Sequence, residues 1–161
     1  MVEMRQAVSE DAEAAIKVVR LSIEQLCTAD HRNDSEILAT WLANKTPQAF
    51  LSWLSNADNF CVVAESDGHL LGVGLLHRSG ELRLLYLAPG AQRQGVGSRI
   101  NSALEEQAKQ WGLRKLRLES TASARAFYEA QCYRSAGAAK VSFGVLQSYP
   151  YEKELQPNPL S

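Results

Sequence analysis

Cysteine is scarce in this sequence: Cys27, Cys61 and Cys132 are its only three. They lie far apart, are odd in number and form neither a C-x-x-C pair nor a cluster with histidine. This argues against a disulfide framework and a structural zinc site, and it fits a reducing compartment. His31, His69 and His77 have no metal-ligand spacing, so no metal is expected. Charge of one sign is not in excess either, with 17 basic against 18 acidic residues. That balance provides no positive field to gather nucleic acid or an anionic membrane surface, and neither is an expected partner. Long hydrophobic runs are also missing. Glu3, Arg5, Glu10, Asp11 and Glu13 break up the N-terminal stretch and leave no signal-peptide core, and no later segment has the roughly twenty uncharged apolar residues of a membrane helix. A cytoplasmic protein is the expectation.

What is present suffices for one domain. A chain of 161 residues, 45% of them hydrophobic, can bury a core without metals or disulfides. We place that domain at 1–155 and a frayed tail at 156–161, where Pro157 and Pro159 stand. Repeats, low-complexity tracts and interior linkers are absent.

Periodicity gives the element order. Met4 to Val8 reads as a short strand, and Ser9 as the N-cap of a helix with Ala12, Ala15, Ile16, Val19, Ile23 and Leu26 on its apolar side. Ala29 to Asp34 reads as a polar loop, with Asn33 or Asp34 capping a helix that carries Ile37, Leu38, Trp41 and Leu42. Another short helix starts at Pro47 and carries Phe50, Leu51 and Leu54. Phe60 to Ala64 and Leu70 to His77 are strands joined by Ser66-Asp67-Gly68, a strong hairpin signal. After Ser79-Gly80, the strand Glu81 to Leu87 stops at Pro89-Gly90. A helix from Gly95 then puts Val96, Ile100, Leu104, Ala108 and Trp111 on one side and ends near Gly112. Lys115 to Leu118 is a strand, Ser123 to Gln131 a helix, and Tyr133 onward two closing strands. This order describes a single α/β or α+β layered domain.

The segment Leu84 to Ile100 carries the chemistry: a buried strand runs into a loop, which becomes the first turn of an amphipathic helix. The first amides of a helix have no intrahelical partner and sit at the positive end of its dipole, so they suit an anion. Gly95 and Gly97 lack a Cβ and would let a phosphate approach the backbone, while Arg93 and Arg99 could add charge at the rim. Taken alone, the G-x-G equally suits a tight turn packed on a neighbour. A Walker loop would need Gly-Lys-Ser/Thr, and a dinucleotide fingerprint would need glycine where Ile100 stands. A kinase glycine loop would need a much longer catalytic chain.

Gln92-Arg93-Gln94-Gly95-Val96-Gly97 resembles the Gln/Arg-x-x-Gly-x-Gly/Ala motif of the GNAT superfamily of N-acetyltransferases, and Leu85-Tyr86-Leu87-Ala88-Pro89 resembles the strand ending that precedes it there. Downstream, Ala124 to Tyr133 is similar to the family's A-x-x-F-Y-x-x-x-G-F helix and strand start. Two positions depart from the pattern: Cys132 stands where glycine is usual, and Thr121 where asparagine is common. The resemblance implies a mixed, mostly antiparallel twisted sheet of about six to seven strands flanked by helices, with one splayed pair of parallel strands. It implies acetyl-CoA as co-substrate, its diphosphate on the amides of Gln92, Arg93, Gln94, Gly95, Val96, Gly97 and Ser98. The pantetheine arm would pair along Leu85, Tyr86 and Leu87 as an added strand, which places the thioester carbonyl near the Leu85 amide.

The same resemblance makes Tyr128 the candidate acid that protonates the leaving thiolate, about 100° around its helix from a core-facing Phe127. Glu81 is the candidate base. It lies roughly 13 Å along an extended strand from Leu85, so a relaying water is needed. Glu119, at the end of a strand, could touch a cationic acceptor. Cys132 reads as a small packed residue rather than an acetyl carrier, and Trp41 and Trp53 as core aromatics, although 30–54 is where the family shapes its acceptor pocket. The expected activity is direct acetyl transfer to a primary amine of a small molecule, since no acidic or basic docking track is present. A peptide or protein amine, and a non-catalytic acyl-CoA sensor, are the alternatives. Homodimerisation through Val141 to Leu155 stays open.

Overall fold

The computed structural model describes residues 1–142 and 146–156. Its first half is an antiparallel sheet in the order β1 (Glu3–Gln6), β2 (Asn59–Ser66), β3 (His69–His77), β4 (Leu82–Leu87). Asp67 and Gly68 turn the β2–β3 hairpin with φ of 51° and 77°, the conformation an Asp-Gly pair supplies most readily. Side chains alternate across β2. Cys61 and Val63 join the core under α1 (Ala12–Leu26), while Val62 and Ala64 join the core under α5 (Val96–Gln110). A strand buried on both faces explains why this run is apolar throughout.

The α1 face is covered further by α3 (Ser35–Leu42) and α4 (Pro47–Ser55), which bury Trp41 and Phe50 and pack Trp53 against them. Asp34 caps α3 by accepting from the amides of Glu36 and Ile37, and Thr46 caps α4 by accepting from Ala49. Between α1 and α3, where a loop is expected from sequence, Thr28–His31 forms one helical turn, α2. Tertiary bonds hold this turn. Fully buried His31 contacts the Ile23 carbonyl at 2.8 Å through Nε2, and the Asn33 amide donates to its Nδ1 at 3.0 Å.

The second half pairs β5 (Lys115–Ser120), β8 (Leu146–Glu154) and β6 (Arg134–Ser135) in that order, and β7 (Lys140–Ser142) also joins β8. Every one of these ladders is antiparallel. The helix α6 (Arg125–Ala130) links β5 to β6. Eight strands are therefore present among the described residues, two of them too short to show a period in sequence. The frayed tail expected at 156–161 lies, from Pro157 on, outside the described residues, as does part of the closing strands at 143–145.

Ser9 does not cap α1. Instead Asp11 accepts from the Val8 amide at 2.8 Å and from both terminal nitrogens of Arg5 at 2.8 Å, so a 3₁₀ turn over Ser9–Asp11 leads into the helix. Arg5 also meets Glu65 on the neighbouring strand at 3.0 Å. The Arg5 guanidinium holds the Asp11 carboxyl below its usual value, outweighing desolvation. A carboxyl depressed by folding stabilises above its unfolded pKa, and that stability is lost as pH falls through the folded value. Asp11→Asn should therefore cost about 2 kcal/mol at neutral pH. The gap between the two proteins should close in acid, measured by urea denaturation from pH 7 downward. A constant gap would show that Asp11 acts by shape rather than charge.

Candidate active site

The two sheets are bridged between β4 and β5 at one isolated pair among the described residues. Glu81 forms an isolated parallel bridge with Arg117 of β5, and the Arg117 amide donates to the Gly80 carbonyl at 2.9 Å. Beyond this bridge β4 and β5 diverge into a V. A bulge in the β3–β4 ladder, where Leu75 faces Leu84 but Leu76 faces Leu82, accompanies the divergence.

The register decides what β4 offers to the opening. The Ala88 amide bonds to the Leu71 carbonyl at 2.8 Å, so Ala88 pairs with β3. Antiparallel pairs alternate between bonded and non-bonded positions. The amides of Leu84 and Tyr86 thus face β3, and those of Leu85 and Leu87 face the V. The Leu85 amide is therefore left unpaired by β3 and faces the opening.

At the wide end, β4 leads through a loop into α5. Arg93 and Gly95 take left-handed conformations at φ of 62° and 79°. The amides of Gln92, Arg93, Gln94, Gly95, Val96, Gly97 and Ser98 find no acceptor among the described residues, and the first bond of α5 runs from the Arg99 amide to the Gly95 carbonyl. Gly97 has a packing reason to be glycine: a Cβ there would lie 2.8 Å from the Phe127 ring. Several side chains of the loop are committed elsewhere. Gln94 Nε2 donates to the Gly90 carbonyl, Ser98 Oγ accepts from Gln131 Nε2 at 2.7 Å, Val96 is buried, and Arg99 donates to the Val2 carbonyl rather than lining the rim. Arg93 and Gln92 line the opening.

The V encloses a cavity of about 390 Å³, within the range of small-ligand sites. Leu85, Tyr86 and Leu87 form one wall, and Phe127 and Tyr128 of α6 another. Contrary to the sequence reading, Phe127 is only half-buried and Tyr128 is the more enclosed, at 6% exposure. The Tyr128 hydroxyl has no protein partner among the described residues, and burial pushes its pKa up, so the phenol keeps its proton. Glu81 is not in the wall. It stays at the apex of the V, where its carboxylate takes a 2.6 Å bond from Arg83 Nε, because residues two apart on a strand share a face. Glu119 is in the wall, bonded at 3.2 Å to Lys140.

Sequence reasoning missed the contribution of α1 and α2. Ser22, Leu26 and Cys27 line the cavity, and Ser22, a hydroxyl on the apolar side of α1, was the available signal. Burial pushes the Cys27 thiol up to about 12, which leaves it an unreactive wall residue. Asp30 of α2 binds the turn before α6, accepting from the Ala122 amide at 2.6 Å and from the amide and hydroxyl of Ser123. This clasp joins the α1 layer to the turn before α6. Thr121 Oγ1 accepts from the Ala124 amide at 3.1 Å, a role asparagine could also fill. Cys132 sits at φ 70°, in the left-handed region that suits the glycine usual there.

Comparison with known proteins agrees with this geometry. The profile of the Acetyltransferase (GNAT) domain matches residues 24–155, and the chain belongs to this family of acetyltransferases. Among curated protein sequences none matches the chain significantly. Solved structures share the fold. A GCN5-related N-acetyltransferase from Rhodopseudomonas palustris is 24% identical with a TM-score of 0.84, covering 95% of each chain. PaiA N-acetyltransferase from Thermoplasma acidophilum, in complex with coenzyme A, is 22% identical with a TM-score of 0.81, covering 96% of this chain and 99% of its own. An aminoglycoside 6′-N-acetyltransferase complexed with coenzyme A is 12% identical with a TM-score of 0.74, covering 98% and 99%. Among the described residues no helix is long and apolar enough to cross a membrane, and no cluster of histidine, cysteine and carboxylates has the makings of a metal site.

Proposed function

We propose that the protein transfers the acetyl group of acetyl-CoA directly to the primary amine of a small molecule. The observation that carries this is the run of unpaired amides from Gln92 to Ser98 at the start of α5, beside a strand edge with free Leu85 and Leu87 amides. The first set suits a diphosphate at the positive end of a helix dipole. The second suits an extended arm with its own amides, and the Leu85 amide suits the thioester oxygen as it gains charge. Coenzyme A in the structures of two relatives supports the same reading.

Tyr128, protonated and unpaired in the wall, is the acid for the departing sulfur. Glu119 draws in the ammonium of the acceptor. Glu81, paired with Arg83 at the apex, reaches the amine only through relayed water. The Asp30 clasp favours a small acceptor over a protein segment, because it closes the gap between α2 and the turn before α6.

Free thiol release from acetyl-CoA, followed with a panel of small amines and of peptides with free N-termini or lysines, tests this reading. Small amines should support turnover and peptides should not. If acetyl-CoA raises the melting temperature yet no amine consumes it, the protein is a sensor and not an enzyme. Turnover with peptides alone would move the acceptor to the polypeptide class.

A further inference from the structure

Behind Tyr128 lies a group of polar side chains that the proposed chemistry does not use. The Tyr133 ring packs edge-on against Tyr128, 5.6 Å between centroids at 73°. Its hydroxyl donates to Asn101 Oδ1 at 2.9 Å and lies 3.3 Å from Glu105 Oε2. Asn101 Nδ2 donates to the same Glu105 oxygen at 2.7 Å. Lys153 of β8 reaches both Glu105 oxygens at 3.0 Å, and its ammonium stands 5.5 Å above the Tyr133 ring. Tyr133 and Asn101 are almost fully buried, at 3% and 2% exposure, and the Glu105 side chain retains only 13%.

Such a group is a poor source of stability. Desolvating an ion pair offsets most of its attraction, and apolar side chains of the same volume often do as well or better. Its distinguishing property is geometric. The Tyr133 ring is held at both ends: its amide donates to the Tyr128 carbonyl at 3.0 Å, and its hydroxyl is fixed by α5. A phenylalanine there would fill the same space without the far anchor. The same helix supplies the diphosphate amides in its first turn, touches Phe127 through Gly97 and holds Gln131 through Ser98.

Resting on the assignment of Tyr128 as acid, we propose that Tyr133 is a positioning residue. Anchored by Asn101, Glu105 and Lys153, it fixes the Tyr128 ring relative to the helix that receives the cofactor's diphosphate. The network is silent in binding and acts on the proton-transfer geometry alone.

The test is a double-mutant cycle with the full-length enzyme, acetyl-CoA varied, and whichever amine of the panel turns over. Tyr133→Phe should lower kcat about tenfold, within what a small misplacement of a reacting group costs, and leave the KM for acetyl-CoA within about twofold. In a Tyr128→Phe background the same substitution should change kcat by less than about twofold, because the ring it positions no longer carries the proton. Asn101→Ala removes the shorter of the two hydroxyl contacts while leaving both rings, and should shift kcat in the same direction, again only with Tyr128 present, if Tyr133→Phe folds poorly. A slow Tyr128→Phe enzyme beside a Tyr133→Phe enzyme of full rate overturns the positioning role alone. So does a tenfold loss that persists in the Tyr128→Phe background. A Tyr128→Phe enzyme of full rate overturns the acid assignment and this inference together.

Discussion

Tyr128→Phe is expected to lower kcat at least about a hundredfold, the lower bound for removing a positioned general acid, with the KM for acetyl-CoA nearly unchanged. The split follows from where the groups sit. Main-chain amides of Gln92 to Ser98 and of Leu85 and Leu87 would do the binding, and none of them belongs to α6. Only the hydroxyl is lost, and the ring contacts with Phe127 and Tyr133 are kept. Because burial raises the phenol's pKa, the wild-type acid stays loaded through neutral pH. The rate of wild type should therefore show no loss from Tyr128 ionisation on the alkaline side within the range where the protein is folded. Steady-state kinetics across pH for both proteins measures this. Equal kcat values would leave the thiolate to be protonated by solvent.

The second large effect concerns the apex of the V. Gly80→Val should destabilise the protein by about 3 kcal/mol, combining a left-handed residue with overpacking. For a chain of this size that corresponds to a melting temperature lower by roughly 6–12 °C. Gly80 has φ 95°, and a Cβ there would lie 2.9 Å from the Lys115 carbonyl oxygen, a backbone atom that cannot swing aside. The bond from the Arg117 amide to the Gly80 carbonyl holds the two half-sheets at this point. The KM for acetyl-CoA should rise as well, since the opening between β4 and β5 is set by its apex. A melting temperature within about 2 °C of wild type would show that the halves are held from elsewhere.

Much of this architecture is legible in the sequence because its elements satisfy local rules. The apolar spacing of α1 and α5, the Asp-Gly hairpin and the proline at the start of α4 each need only neighbours in the chain. The loop before α5 is readable for the same reason: a strand, two glycines and a helix start fix where free amides must be. What was illegible depends on distant partners. The α2 turn, four polar-leaning residues, is held by Ser123 and Ile23. The place of Glu81 at the apex of the V depends on its bridge to Arg117 and its bond from Arg83. Phe127 and Tyr128 exchange their expected depths because Gly97 admits the first ring at the surface of α5, leaving the second to enter the core. Asn101 was within reach: it lies on the line of Gly97, Leu104 and Ala108 along α5, where a polar side chain asks for a buried partner.

The strand β8 lies between β5 and β6 and also carries β7. During synthesis, then, the four strands from Glu3 to Leu87 can assemble early, while β5 waits for a partner that emerges from the ribosome some 30 residues later. Until residues 146–154 arrive, the backbone of β5 has no antiparallel partner. The wall that holds Tyr128 is among the last parts of the molecule to form.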